Sequence, residues 1–125
     1  MPLAHARPVA LLITRDRKLS EAFYGEVLGL RRLPGDDYAA VFDLAGVQLR
    51  LTEVPEHAAS AHPVLGWQVP DIEATVTALA AKRVAMTIYA GMGQDALGIW
   101  TSPDGAAKVA FFADPDGNGL SLTQC

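Results

Sequence analysis

The sequence predicts an α+β fold made of two tandem strand-helix-three-strand (βαβββ) units. Three observations predict it. Val9 and Val64 each open an apolar run, Asp16 and Asp71 each precede a helical pattern, and both pairs stand 55 residues apart. Leu49-Arg50-Leu51-Thr52 and Leu120-Ser121-Leu122-Thr123 stand 71 apart. The excess of 16 residues fits an insertion in the second copy, and Gly91 to Ala106 accommodates it. Corresponding strands of the two copies also share one parity, greasy on one face and mixed on the other. The chain of 125 residues is thus read as a single domain, 1–125, with units at about 8–54 and 63–124.

In the first unit, Val9 to Thr14 is short and apolar and reads as a buried strand. Asp16 suits a helix cap, because its carboxylate can accept the unpaired amides of a first turn. Leu19, Phe23, Val27 and Leu30 recur as one helical face, and Gly29 supplies a left-handed stop. After a polar turn around Pro34-Gly35-Asp36-Asp37, Tyr38 to Leu44 and Val47 to Val54 read as a hairpin across Ala45-Gly46.

The second unit repeats the plan. Val64 to Val69 reads as a strand, Asp71 as a cap, and Ile72, Val76 and Leu79 as a helix face. Val84 to Tyr89 is expected to be a strand. Leu97 to Thr101 is expected to add another within the insertion, before the Ser102-Pro103-Asp104-Gly105 turn. Lys108 to Ala113 and Gly119 to Thr123 form a last hairpin around Asp114 to Asn118.

Alternation sorts the side chains by face. Leu49 and Leu51 oppose Gln48, Arg50 and Thr52; Leu65 and Trp67 oppose Val64, Gly66 and Gln68; Leu120 and Leu122 oppose Ser121 and Thr123. The first set suits packing under helices. If the sheets curve, the second set lines a partly polar hollow, the default kind of small-molecule site. Its candidate ligand-binding residues are Gln48, Arg50, Thr52, Gln68, Trp100 and Ser121, with Val9, Leu11 and Val64 as lining. Trp67 is assigned to the core. Trp100, Phe111, Phe112, Tyr38 and Tyr89 flank the hollow or its rim, where aromatic rings can cover a flat ligand.

Composition excludes other classes. Ten basic against fourteen acidic residues leave a net charge of −4, and no basic stripe interleaves with aromatics, so nucleic acid is not an expected partner. The small basic groups, including Arg31 and Arg32, read as solvated helix ends. No apolar run approaches a membrane span or a signal peptide, and the single cysteine, Cys125, suits a reducing compartment, so a cytoplasmic location is expected.

The only His/acid cluster lies in the linker Glu53 to His62, with His57 and Glu56 between. Loop spacing there fixes no metal geometry, and an exposed linker is the plainer reading. His62 and Glu53 remain candidate catalytic groups, since an imidazole or carboxylate near the hollow can serve as acid or base. Asp114, Asp116 and Asn118 superficially suggest a calcium loop, but the glycine comes too early and the twelfth position is Cys125. Gly91-Met92-Gly93 lacks the following helix a phosphate loop needs. Ser60, Ser102 and Ser121 show no partner base.

The layout resembles the vicinal oxygen chelate superfamily of glyoxalase I, extradiol dioxygenases and bleomycin- and fosfomycin-resistance proteins. The resemblance runs from Val9 to Thr123. It is most specific at Phe23-Tyr24-Gly25-Glu26-Val27-Leu28-Gly29-Leu30 and at Phe112-Ala113-Asp114-Pro115-Asp116-Gly117-Asn118. It implies curved mixed sheets enclosing a cavity, with the helices outside. Metal-using members draw His, Glu or Gln ligands from the first and last strands of each unit. Counted from the motifs, those positions fall on Val9, Arg50, Val64 and Ser121. Two are aliphatic, one is a permanent cation and one is a neutral hydroxyl, so no metal and no other cofactor is expected. A slip of one residue brings Leu49, Leu65 or Leu120, which are no better.

The leading expectation is therefore a metal-independent binder of an aromatic or anionic small molecule. The alternative is an enzyme of the same superfamily, a lyase, isomerase or dioxygenase-like protein, using Arg50 with His62 or Glu53 or a non-standard metal site. A third is an interaction module without a ligand. The resemblance also implies a homodimer.

Overall fold

The computed structural model describes residues 2–60 and 62–125, so Ala61 in the expected linker lies outside the description. The chain divides into two compact units, Met1–Ala58 and Ala59–Cys125. Each holds one open four-stranded mixed sheet, and the α+β pattern of two βαβββ units is what the structure shows.

The first unit runs β1 (Val9–Thr14), α1 (Arg17–Ala22), a π-helical turn (Phe23–Val27), β2 (Arg31–Leu33), β3 (Ala39–Leu44) and β4 (Val47–Glu53). The sheet order is β1-β4-β3-β2, with β1 parallel to β4 and the other neighbours antiparallel. Two carboxylates start α1. Asp16 accepts the N–H groups of Lys18 (3.1 Å) and Leu19 (3.3 Å), and Glu53, from the end of β4, accepts that of Arg17 (2.8 Å). Orphan amides of a first turn need such acceptors. The Ser20 hydroxyl donates to that of Thr14 at 2.6 Å, tying the helix to β1 inside the core.

The helix face differs from the one expected. Leu19 is 58% exposed, whereas Ser20, Phe23 and Tyr24 are buried. Beyond Phe23 the phase also changes, because a π-turn follows: the Leu28 N–H reaches back five residues to the Phe23 carbonyl (2.9 Å), so a 3.6-residue stripe does not carry through to Leu30. Gly29 then ends the segment at φ 76°, in the left-handed region. Arg31 and Arg32 do not end a helix; they lie on β2. Arg32 pairs with Glu21 at 3.0 Å and sits over the Phe42 ring at 5.6 Å.

The second unit runs β5 (Pro63–Gln68), α2 (Ile72–Ala81), β6 (Trp100–Thr101), β7 (Lys108–Ala113) and β8 (Gly119–Gln124), with sheet order β5-β8-β7-β6. The Asp71 carboxylate accepts the Ala74 N–H (3.1 Å), and the Gln124 amide oxygen accepts that of Ile72 (2.7 Å). Ile72, Val76 and Leu79 face the core, as the periodicity predicts.

Val84 to Tyr89 is not a strand, and the extra strand covers only Trp100–Thr101. A side-chain amide takes the backbone groups that a ladder would use. Gln94 accepts the Tyr89 N–H (2.8 Å) and donates to the carbonyls of Thr87 (2.9 Å) and Gly98 (3.0 Å). One sheet-like bond survives, from the Thr87 N–H to the Phe111 carbonyl.

Tyr24, Phe42, Leu49 and Leu51 fill the first core; Ile72, Phe112, Leu120 and Leu122 fill the second. Phe112 is therefore a core residue and not part of a hollow's rim, and Trp67 stacks beside it with ring centroids 6.4 Å apart. Among the described residues, no helix is long and apolar enough to cross a membrane.

Candidate ligand-binding faces

Ladder register decides which side chains share a face, and each unit has one mixed face. In the first unit, one row crosses all four strands: Val9 beside Gln48, Gln48 beside Asp43, Asp43 beside Arg31. The next row is Leu11, Arg50, Val41 and Leu33; the third is Ile13, Thr52 and Ala39. The sequence thus places Val9, Leu11, Gln48, Arg50 and Thr52 on one surface. The apolar members on β1 are open to solvent: Val9 is 47% exposed, Leu11 71% and Ile13 37%.

Arg50 does not stand alone there. Its Nη2 donates to Asp36 Oδ2 at 3.0 Å. The other Asp36 oxygen accepts the N–H groups of Tyr38 (2.8 Å) and Ala39 (2.9 Å). The guanidinium of Arg50, followed by those two amides, holds the Asp36 carboxyl below the usual aspartate range. Asp36 is thus more than a turn residue; it fixes the arginine at the edge of the face.

A groove of about 420 Å³ lies along the first row, with Arg7, Val9, Arg31, Leu33, Asp43 and Gln48 among its walls. Arg7 is held there by a bond from its Nη2 to the Gly46 carbonyl (3.1 Å). Arg7, Arg31 and Asp43 are absent from the residues read off the sequence. Two signals point to Arg7 and Asp43. Arg7 shares the parity of Val9 and Leu11, and the tight Ala45-Gly46 turn fixes Asp43 opposite Gln48.

In the second unit, Gly66 lies beside Ser121 and Gln68 beside Thr123; Phe111 pairs with Ser121, and Val109 with Thr123 and Trp100. Gln68, Trp100 and Ser121 therefore share a face with Phe111. Tyr89 meets Phe111 edge-on at 5.5 Å. A Cβ at residue 66 would run into the Ser121 hydroxyl, so glycine is what lets Ser121 lie across β5. Val64 falls in a register shift between Pro63 and Leu65 and has no ladder partner of its own.

The candidate catalytic groups are placed apart from these rows. The Glu53 carboxylate is engaged with the start of α1, and His62 is exposed on the bend before β5, its N–H donating to the Ser60 hydroxyl (3.2 Å). Tyr38 is exposed in the loop before β3. Asp114 accepts from the Asp116 and Asn118 amides and from the Asn118 side chain, all at 2.8–2.9 Å, which makes the segment a self-satisfied turn.

Among the described residues, no three His, Cys, Asp or Glu side chains gather as metal ligands. The positions at which the resemblance leads one to expect metal ligands are Val9 and Arg50 in the first unit and Val64 and Ser121 in the second. Neither pair fits a divalent ion: the first offers an aliphatic side chain and an arginine already paired with Asp36, the second an aliphatic side chain and one neutral hydroxyl.

Residues 3–122 match the family model described as the Glyoxalase/Bleomycin resistance protein/Dioxygenase superfamily. Several solved structures are similar. A genomically encoded fosfomycin resistance protein from Listeria monocytogenes has a TM-score of 0.77 at 14% identity, over 98% of this chain and 95% of that one. A glyoxalase family protein from Enterococcus faecalis has 0.74 at 20% identity, over 98% and 99%. A lactoylglutathione lyase from Agrobacterium tumefaciens has 0.72 at 18%, over 96% and 93%. Identities this low speak to the fold alone. No curated protein matches the chain.

Proposed function

The chain belongs to the glyoxalase/bleomycin resistance protein/dioxygenase superfamily, and from that premise we propose that it binds an aromatic or anionic small molecule on its mixed sheet faces without a metal. The observation that carries the reading is the register. It sets Gln48, Arg50 and Thr52 side by side on one face, and Trp100, Phe111, Ser121 and Gln68 on the other. Guanidinium and amide groups recognise oxygens; the rings of Trp100, Phe111 and Tyr89 supply flat apolar area. Two similar structures carry names that refer to small compounds, lactoylglutathione and fosfomycin, which supports a small-molecule ligand.

Metal independence rests on the donor chemistry of Val9, Arg50, Val64 and Ser121. Dialysed protein in chelator is expected to gain thermal stability from members of an aromatic-acid library, and Arg50→Gln and Trp100→Ala are each expected to reduce that gain for ligands held on their own face. Stabilisation that requires added nickel, manganese, iron or zinc overturns the reading.

A second copy of the chain is the proposed partner. The open apolar strip Val9, Leu11 and Ile13 supports it, since contiguous exposed apolar surface favours association. Native mass spectrometry reading only monomer removes it. A reducing, cytoplasmic compartment is proposed from the single cysteine.

A further inference from the structure

We propose that the groove of the first unit is a subsite for a small organic monocarboxylate, held between Arg7 and Arg31 with its apolar part on Val9 and Leu33. This rests on the small-molecule reading above and adds the ligand's charge and its place. Arg50 is the less available anchor, because its guanidinium already serves Asp36. Arg7 and Arg31 are the two cations along the groove.

Their settings differ usefully. Arg7 is fixed by its bond to the Gly46 carbonyl, which positions one guanidinium over the β3–β4 turn. Arg31 is 73% exposed, and its Nη2 stands 3.7 Å from Asp43 Oδ2, too far for a hydrogen bond. A carboxylate can therefore meet its fork without first breaking a bond to Asp43. Asp43 is itself anchored, since its Oδ1 accepts the Gly46 N–H (2.9 Å).

Charge selects the class. Arg7, Arg31 and Asp43 leave the groove one positive charge on a chain whose net charge is −4. A local field of that sign attracts an anion, and the nearby aspartate opposes a second negative charge on it. Planar guanidinium favours a carboxylate through two parallel N–H···O bonds. Val9 and Leu33 form apolar walls, and the exposed Gln48 amide offers a further polar contact. A volume of about 420 Å³ lies in the range of small-ligand sites.

Titration of the ¹⁵N-labelled protein with benzoate, and in parallel with neutral benzamide, tests the proposal. Benzoate is expected to shift the amides of Val9, Asp43 and Gln48, and benzamide to leave them in place. Arg31→Gln and Arg7→Gln are each expected to weaken benzoate by about tenfold, as loss of a charge-assisted bond implies. Lys82→Gln, which removes the same charge beyond α2, is expected to leave the affinity unchanged. Added salt should weaken binding in the wild type. No benzoate shifts in the groove, equal shifts from benzamide, or full affinity in both arginine variants overturns the subsite. Such a result leaves metal-free ligand binding standing, because that reading is judged by thermal stabilisation in chelator.

Discussion

Glu53 in the first unit and Gln124 in the second occupy corresponding places, 71 residues apart, at the ends of β4 and β8. Each reaches across to accept the first amide of its unit's helix, Arg17 at 2.8 Å and Ile72 at 2.7 Å. The sheets share one strand order, and Leu49 and Leu120 are both fully buried at matching positions. The mixed faces have diverged. The first carries Arg50, Gln48, Asp43 and Arg31; the second carries Trp100, Phe111, Val109 and Ser121. The difference teaches that the duplicated frame is fixed by packing and capping, which tolerate little change. The outward face is free to specialise, charged in one half and aromatic in the other.

The frame can be broken at matched positions. Leu49→Ala and Leu120→Ala should each cost about 2–5 kcal/mol, the usual loss for truncating a buried leucine. Urea denaturation of both variants measures it, and a negligible loss in one alone would end the equivalence of the two cores. Gly66→Ala should cost about 1–3 kcal/mol through overpacking against Ser121. Gly66→Ala combined with Ser121→Ala should recover most of that, because the obstructing hydroxyl is gone. A double variant no more stable than the single one would show the contact to be irrelevant.

The caps come next. Glu53→Ala and Gln124→Ala should each lose roughly 1 kcal/mol, as removal of a helix-capping acceptor does. Thermal melts that separate the two widely would mark one cap as incidental.

The smallest effect is on titration. Arg50 first, then the Tyr38 and Ala39 amides, depress Asp36 in the folded protein. In the second unit the Ser102 hydroxyl, followed by the Ala106 amide, depresses Asp104. A depressed carboxyl contributes stability above its unfolded pKa and loses it as pH falls through the lower folded value. Both contributions are thus present at neutral pH, and their loss is confined to the acid side of the ordinary aspartate range. Carboxyl-detected NMR should show Asp36 rising in Arg50→Gln while Asp104 stays, and the reverse in Ser102→Ala. Movement of both in either variant would deny that the pairings are local.

The repeat, the four long hairpin strands, both aspartate caps and the face of α2 are legible in the sequence, because each leaves a regular period or a specific turn residue. What escapes is set by contacts distant in sequence or by irregular backbone. The π-turn at Phe23–Val27 breaks the helical stripe beyond Phe23, and no spacing rule anticipates five-residue closure. β2 is three residues long and two are arginines, so it lacks apolar alternation. Val84 to Tyr89 has strand composition, but the Gln94 amide captures its backbone. At the faces, parity assigns Gln48, Arg50, Thr52 and Ser121 correctly to the mixed side, yet it cannot reveal that Asp36 engages Arg50. Nor does it single out Arg31, which enters only through the register across four strands. Glu21 shows the same limit. Burial raises its pKa, but Arg17 and Arg32 together outweigh that and hold it below the usual range, a balance drawn from α1 and β2.

The Asp114 turn has a consequence for how the protein ages. Asn118 precedes Gly119, a dipeptide whose side-chain amide is ordinarily lost by ring closure onto the following nitrogen. Here Asn118 is buried, and its Nδ2 is held by Asp114 Oδ2 at 2.8 Å. The folded chain should therefore resist succinimide formation at this step for long storage times, and unfolding should release it.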